Sequence, residues 1–169
     1  ELVDVTVREW IGWSKFRKHI HKLCRFGVEF ESEFFLEIDP YFMGVTLGDG
    51  SISNKVAITT ADEDIVFEVD RQALRHGLHV RSERAGGKSS TYHITNKLGT
   101  VPFAEPNPLY QKFVRVGLSG KRSGAKFIPH EYKTASLRDR LHLLAGLMDT
   151  DGSLTCNGYD YISKSRRLA

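Results

Sequence analysis

The sequence predicts an α+β fold built on an αββαββα unit whose second copy is begun but not finished. Three observations predict it. Phe42-Met43-Gly44-Val45-Thr46-Leu47-Gly48-Asp49-Gly50 and Leu144-Ala145-Gly146-Leu147-Met148-Asp149-Thr150-Asp151-Gly152 share one pattern: apolar residues, a glycine at the third place and a terminal Asp-Gly. From the first copy onward, helical and alternating segments follow in the order helix, hairpin, helix, hairpin, helix before the second copy opens. Finally, the chain stops at Ala169, soon after the second pattern.

Each element has a local cause. Thr6 and Glu9 match a capping box, and Ser14 can cap a second helix carrying Lys15, Arg17, Lys18, His19, His21, Lys22 and Arg25, so residues 1–39 read as a basic helical segment. Its Trp13, Phe16, Ile20 and Leu23 suggest a packed side opposite the charges. Asp39-Pro40 starts the first motif helix, because Asp caps and Pro suits a first turn. Ile52, Val56 and Ile58 face inward around a turn at Ser53-Asn54-Lys55. Asp62 then caps a helix with Ile65, Val66, Val69, Ala73 and Leu74 on its apolar positions, closed by Gly77. A second hairpin pairs Leu78–Glu83 with Tyr92–Thr95 across a loop from Arg84 to Ser89. Leu109, Phe113, Val114 and Val116 mark the next helix, followed by a basic loop from Ser119 to Ala125 that completes a unit over 40–125. In 126–169, Ser136 caps the second motif helix, Leu137 to Met148, and Leu154, Tyr159, Tyr161 and Ile162 suggest another strand pair.

Composition excludes several classes. At 40% hydrophobic and 27% charged residues, the chain has the makeup of a globular domain. No apolar run approaches the roughly 20 residues of a bilayer span, and Glu1-Leu2-Val3-Asp4 lacks the basic start of a secretion signal, which predicts no membrane partner and an intracellular location, cytoplasmic or, in a eukaryote, nuclear. Cys24 and Cys156 stand alone, without zinc spacing. A net charge of +3 permits nucleic-acid binding without requiring it.

The repeated motif has a physical meaning. Gly44, Ala145 and Gly146 allow two helices to approach backbone to backbone, which brings their C-terminal ends together. Asp49 and Asp151 then share that end. Two neighbouring carboxylates at the negative poles of two helices repel each other, and a hard divalent cation with oxygen ligands, magnesium above all, relieves the repulsion and can bridge a phosphate. The competing reading is that each Asp-Gly merely closes a helix and turns the chain. Two copies 102 residues apart argue against it.

At every position, Leu144 to Gly152 resembles the signature of the LAGLIDADG homing endonucleases, with Met148 and Thr150 as variants, and Phe42 to Gly50 is similar to a more divergent first copy. The resemblance covers roughly residues 40 to 163 and implies an antiparallel sheet saddle over helices with the motif helices central. It implies a sequence-specific double-strand DNA endonuclease in which Asp49 and Asp151 are catalytic and bind Mg2+ or another divalent cation, with Gly48 and Thr150 beside them in the metal shell. Each Asp would serve one strand of a long duplex target. Lys126-Phe127-Ile128-Pro129 resembles a Lys-x-Ile-Pro block of intein endonucleases. Lys126 is then the catalytic lysine, steadying charge on the phosphate or polarising the attacking water. The alternative is a solvated lysine in the basic loop with Lys121 and Arg122.

Strand alternation offers a DNA-binding face. With Leu78, Val80, Tyr92 and Ile94 inward, His79, Arg81, Glu83, Thr91, His93 and Thr95 face outward, with Ser51, Ser53 and Lys55 nearby. Arg81 suits guanine readout, while Lys55, Arg84, Lys88 and Lys97 suit phosphates. A simple solvated face is the competing reading. The sequence departs from the family where the second repeat stops at Arg166-Arg167-Leu168-Ala169, and it shows neither a Cys or Ser start nor a His-Asn end for protein splicing. The expectations are an excerpt of a larger intein or other endonuclease, weak or absent cleavage by this piece alone, and strand edges that can recruit a copy or partner. The alternative function is a non-cutting member, such as an RNA-splicing maturase or DNA-binding regulator.

Overall fold

The computed structural model describes residues 3–22, 27–30, 35–96, 106–156 and 158–169. Leu23, Cys24, Arg25 and Lys97 therefore lie outside the described residues, together with the expectations that fall on them. The elements are α1 (Val7–Ile11), α2 (Lys15–Ile20), α3 (Pro40–Gly48), β1 (Gly50–Ser51), β2 (Val56–Thr60), α4 (Glu63–Arg75), β3 (His79–Gly86), β4 (Ser89–Thr95), α5 (Pro108–Arg115), α6 (His130–Lys133), α7 (Leu137–Asp151), β5 (Gly152–Thr155) and β6 (Gly158–Tyr161). The class is α+β. None of the described helices is long and apolar enough to cross a membrane.

Caps set the helix starts. The Thr6–Glu9 capping box is present, and the Ser14 hydroxyl accepts from Arg17 N–H. Asp39 Oδ1 accepts from the N–H groups of Tyr41 and Phe42 at 3.0 and 3.3 Å, with Pro40 at the first helical position. Asp62 does the same for α4, and Gly77 closes it with φ of +66°. Ser136 caps α7, and Glu29 accepts from Leu137 N–H at 3.1 Å, so an earlier segment helps to hold the start of the second motif helix.

Four antiparallel strands form a sheet in the order β1-β2-β4-β3. Val56, Ile94 and Val80 line up across it on one face, while Ala57, His93 and Arg81 line up on the other. The first face closes a core of Phe42, Val45, Ile52, Val56, Ile58, Ile65, Val69, Ile94, Leu109 and Phe113. The β3–β4 hairpin is longer than the sequence suggests: Arg84 pairs with Ser90 and lies in the strand, not in a loop, and the register shifts between Arg84 and Gly86.

Other expectations need correction. Leu74 is 77% exposed, because nine residues from Ile65 is half a turn out of phase; the inward positions go to Glu68 and Gln72 instead. Val114 is exposed, and Val116 is the C-cap of α5. Phe16 and Ile20 are exposed too, so α2 has no packed apolar side among the described residues; Arg17 instead stacks on Trp13, and Lys18 sits over Trp10.

The two motif halves differ in burial. Phe42 is wholly buried and Ile52 is 1% exposed, while Leu144 and Leu154, 102 residues later in each case, are 49% and 65% exposed. Around α3 a four-stranded sheet covers the apolar face; beside α7 the described residues supply only the β5–β6 pair.

Candidate active site

Helices α3 and α7 cross backbone to backbone. A Cβ placed on Gly44 would lie 2.2 Å from the Leu143 carbonyl oxygen, and one on Gly146 would lie 2.2 Å from the Tyr41 carbonyl oxygen. Neither position admits a side chain without parting the helices. Ala145, by contrast, faces away and is exposed. Farther along, Thr150 fills the space over Gly48, where a Cβ would meet its hydroxyl at 2.0 Å. Tyr41 donates to Asp149 Oδ2 at 2.7 Å, adding a polar tie between the helices. Partial burial, and then that bond, raise the Tyr41 phenol far above its ordinary range.

This crossing delivers both helices to a shared end. Asp49 is the C-cap of α3, and Asp151 is the last residue of α7; Gly50 and Gly152 turn each chain into a strand. The Asp49 carboxyl is pushed above the ordinary aspartate value, first by desolvation and then by the charge of Asp151, with Lys126 opposing. The charge of Asp151 thus reaches Asp49 across the shared end.

Lys126 completes the arrangement. It is 2% exposed, and its ammonium donates to the carbonyl oxygens of Thr46, Leu47, Gly48 and Gly50 at 3.0, 2.9, 3.1 and 2.7 Å. It is therefore not a solvated loop lysine. A helix end leaves its last carbonyls without intrahelical donors and carries the negative pole of the dipole, so a buried cation placed there satisfies both needs. Burial brings Lys126 down to about 8, while the charges of Asp151 and Asp49 hold it up.

Among the described residues no group of three His, Cys, Asp or Glu side chains is placed to hold a metal. The donors at this end are the Asp49 and Asp151 carboxylates and main-chain carbonyls, all oxygen, a ligand type that suits magnesium or calcium better than zinc. Thr150 contributes no free hydroxyl: its Oγ1 donates to the carbonyls of Gly146 and Leu147, both at 3.0 Å. Gly48 offers a carbonyl that already accepts from Lys126.

The outward sheet face lies beside this end, since β1 follows Asp49 directly. His79, Arg81, Arg84, Ser51, Ser53, Lys55 and Lys88 are exposed. His93 is half-buried, with Nε2 3.4 Å from Glu83 Oε2. Thr59 and Thr91 share a hydroxyl hydrogen bond of 2.9 Å on the same face. Sequence reasoning missed two participants. Tyr41 gave no signal beyond its place in the first turn of a motif helix, and Ser165, which binds the Lys126 carbonyl, lies in a tail that reads as an ordinary end.

No family model matches the chain. Over 133 residues, 78% of its length, the chain is 30% identical to the replicative DNA helicase DnaB of Mycobacterium intracellulare, and it spans 17% of that protein.

Proposed function

We propose that this chain is the endonuclease region of an intein-type LAGLIDADG homing endonuclease, which hydrolyses both strands of a long, specific DNA site using a divalent cation. The observation that carries this reading is the α3–α7 crossing: two helices touch at Gly44 and Gly146, and each ends on a carboxylate, with the charge of Asp151 acting on Asp49. A mere dimerisation seam leaves both acids, and the buried lysine between their chains, without a role. The similarity to a fraction of a replicative helicase supports an element inserted in such a protein. It is not carried by a nucleotide-binding loop, because the chain contains no Gly-x-x-x-x-Gly-Lys-Ser/Thr run.

In this reading Asp49 and Asp151, with the main-chain oxygens of Gly48 and Thr150, would hold a divalent cation, each acid serving one strand. When bound, Mg2+ or a similar ion activates water and offsets charge on the phosphate. Hydrolysis forms a bond from a water oxygen to phosphorus and breaks the bond to the departing sugar oxygen, which takes up a proton. Lys126 contributes a fixed positive charge at the end of α3, where negative charge builds. The outer face of β2, β3 and β4 lies in the major groove, with Arg81 and His93 toward bases and Lys55 and Lys88 toward phosphates; Ser51, Ser53 and His79 flank them, while Arg84, on the same face of β3 as Val80, is left out of this surface.

The test uses the full-length protein, magnesium and a duplex in which the helicase gene reads without the stretch encoding this chain. Wild-type protein should cut both strands, and Asp151→Asn should abolish double-strand cleavage while sparing most binding. Undiminished cutting by D151N refutes the assignment. Binding without any cutting by wild type refutes the nuclease and leaves a nucleic-acid-binding member of the same fold.

A further inference from the structure

Ser165 is wholly buried. A buried hydroxyl requires partners. Its Oγ donates to the Lys126 carbonyl oxygen at 2.6 Å and accepts from Arg167 N–H at 3.2 Å. The tail around it is folded on itself: Ser165 N–H donates to Ser163 Oγ, and the Ser165 carbonyl accepts from Leu168 and Ala169. Arg167 stacks on Phe127, 4.2 Å from the ring centre, directly after Lys126. At its other end the same segment is tied to the second motif, because Ile162 N–H donates to the Asp151 carbonyl oxygen at 3.3 Å.

Residues 162–169 are thus a strap. One end holds the backbone of Asp151, and the other holds the backbone of Lys126, whose side chain in turn holds four carbonyls at the end of α3. If the tail needed only to close its own turn, the Ser165 proton would go to a carbonyl within the tail. It goes to Lys126.

We propose that Ser165 is a positioning residue: by anchoring the Lys126 carbonyl it sets where the Lys126 ammonium meets the end of α3, and so the pose of Asp49 relative to Asp151. This rests on the nuclease reading above. Its consequence is asymmetric, because Ser165 binds the Lys126 backbone directly and Lys126 binds the end of α3, whereas Asp151 is tied to the segment separately, through Ile162.

The test compares Ser165→Ala with wild type in the full-length protein, with magnesium and the helicase-gene duplex labelled on each strand. The strand belonging to Asp49 is identified as the one that D49N leaves intact. S165A should slow that strand about tenfold, the scale of a small misplacement of a reacting group, with the other strand and the dissociation constant unchanged. A general loss of folding slows both strands alike. Arg167→Ala, which removes the ring contact but keeps the hydroxyl, should leave the strand ratio at the wild-type value. Independently of cleavage, mass spectrometry after brief acetylation should show Lys126 protected in wild type and about tenfold more labelled in S165A relative to Lys121. Equal slowing of both strands, or unchanged Lys126 labelling, overturns the proposal. Should wild type cut neither strand, the nuclease reading fails, and the labelling alone decides whether Ser165 holds Lys126.

Discussion

Gly146→Ala separates two opposed effects by magnitude. In an exposed helix, alanine in place of glycine is favourable by about 1 kcal/mol. At this crossing the new methyl would lie 2.2 Å from the Tyr41 carbonyl oxygen, 2.8 Å from Val45 N and 3.1 Å from Gly44 Cα. These are backbone atoms, which cannot swing aside, so α3 and α7 must part by about 1 Å to restore ordinary contact. A gap of that size forfeits a quarter to a half of the dispersion energy of the atoms facing it. Leu143, Leu147 and Val45 are all buried in this seam. With about half of the contacts of each crossing it, roughly 1 kcal/mol is lost per side chain, or about 3 kcal/mol in all. Less the propensity gain, G146A should lose about 2 kcal/mol, within the range of overpacked cores. Urea unfolding of metal-free protein measures it, with Ala145→Gly, one residue earlier and exposed, as the control expected to lose about 1 kcal/mol from propensity alone. A G146A protein as stable as wild type would refute backbone contact at the crossing.

Three further outcomes follow from the same geometry. Because Lys126 sits near 8 in the fold and near 10.4 when unfolded, the unfolded chain binds the extra proton between those values and stability rises with pH there; chelated wild type should gain about 2 kcal/mol over Lys126→Met between pH 8 and 10, and parallel pH curves would contradict the burial of the ammonium. Leu147→Ala should cost about 2–5 kcal/mol whereas Leu144→Glu should stay within about 0.5 kcal/mol, as thermal unfolding will register; a large loss in the latter means that its face is covered. Arg81→Ala should relax discrimination at one base position by about 1–3 kcal/mol in binding assays, while Lys55→Ala should weaken all duplexes alike and lower the salt slope by about 1; equal behaviour of the two would remove Arg81 from base readout.

The helix starts were the most legible part of the chain, because Asp39, Asp62 and Ser136 each act on N–H groups two or three residues away. The glycine crossing was legible as well, since Gly44 and Gly146 occupy the same place in two copies of one motif. What escaped depends on distance along the chain. Nothing near Leu74 tells which arc of α4 meets the sheet, so Glu68 and Gln72 take inward positions that a reading by residue type assigns to leucine. Arg84 stays in its strand because the partner strand begins at Ser89, a matter of pairing rather than of local propensity. Lys126 was legible as a short block with Ile128 and Pro129, but its surroundings were not: all four carbonyls it meets lie 76 to 80 residues earlier.

Beyond the local C-cap at Asp49, the end of α3 is closed by a lysine from far along the chain. A glycine or asparagine cap satisfies carbonyls without adding charge. Here the helix end also bears Asp49, with Asp151 close enough to raise it, so an uncharged cap would leave two carboxylates and a dipole pole with no cation. One buried ammonium offsets half of the carboxylate charge, and the remainder still opposes the approach of a phosphate. In the proposed reaction that remainder makes the divalent ion necessary: Lys126 brings the site close enough to neutral to fold, and leaves it negative enough to need a further cation before DNA can be held there.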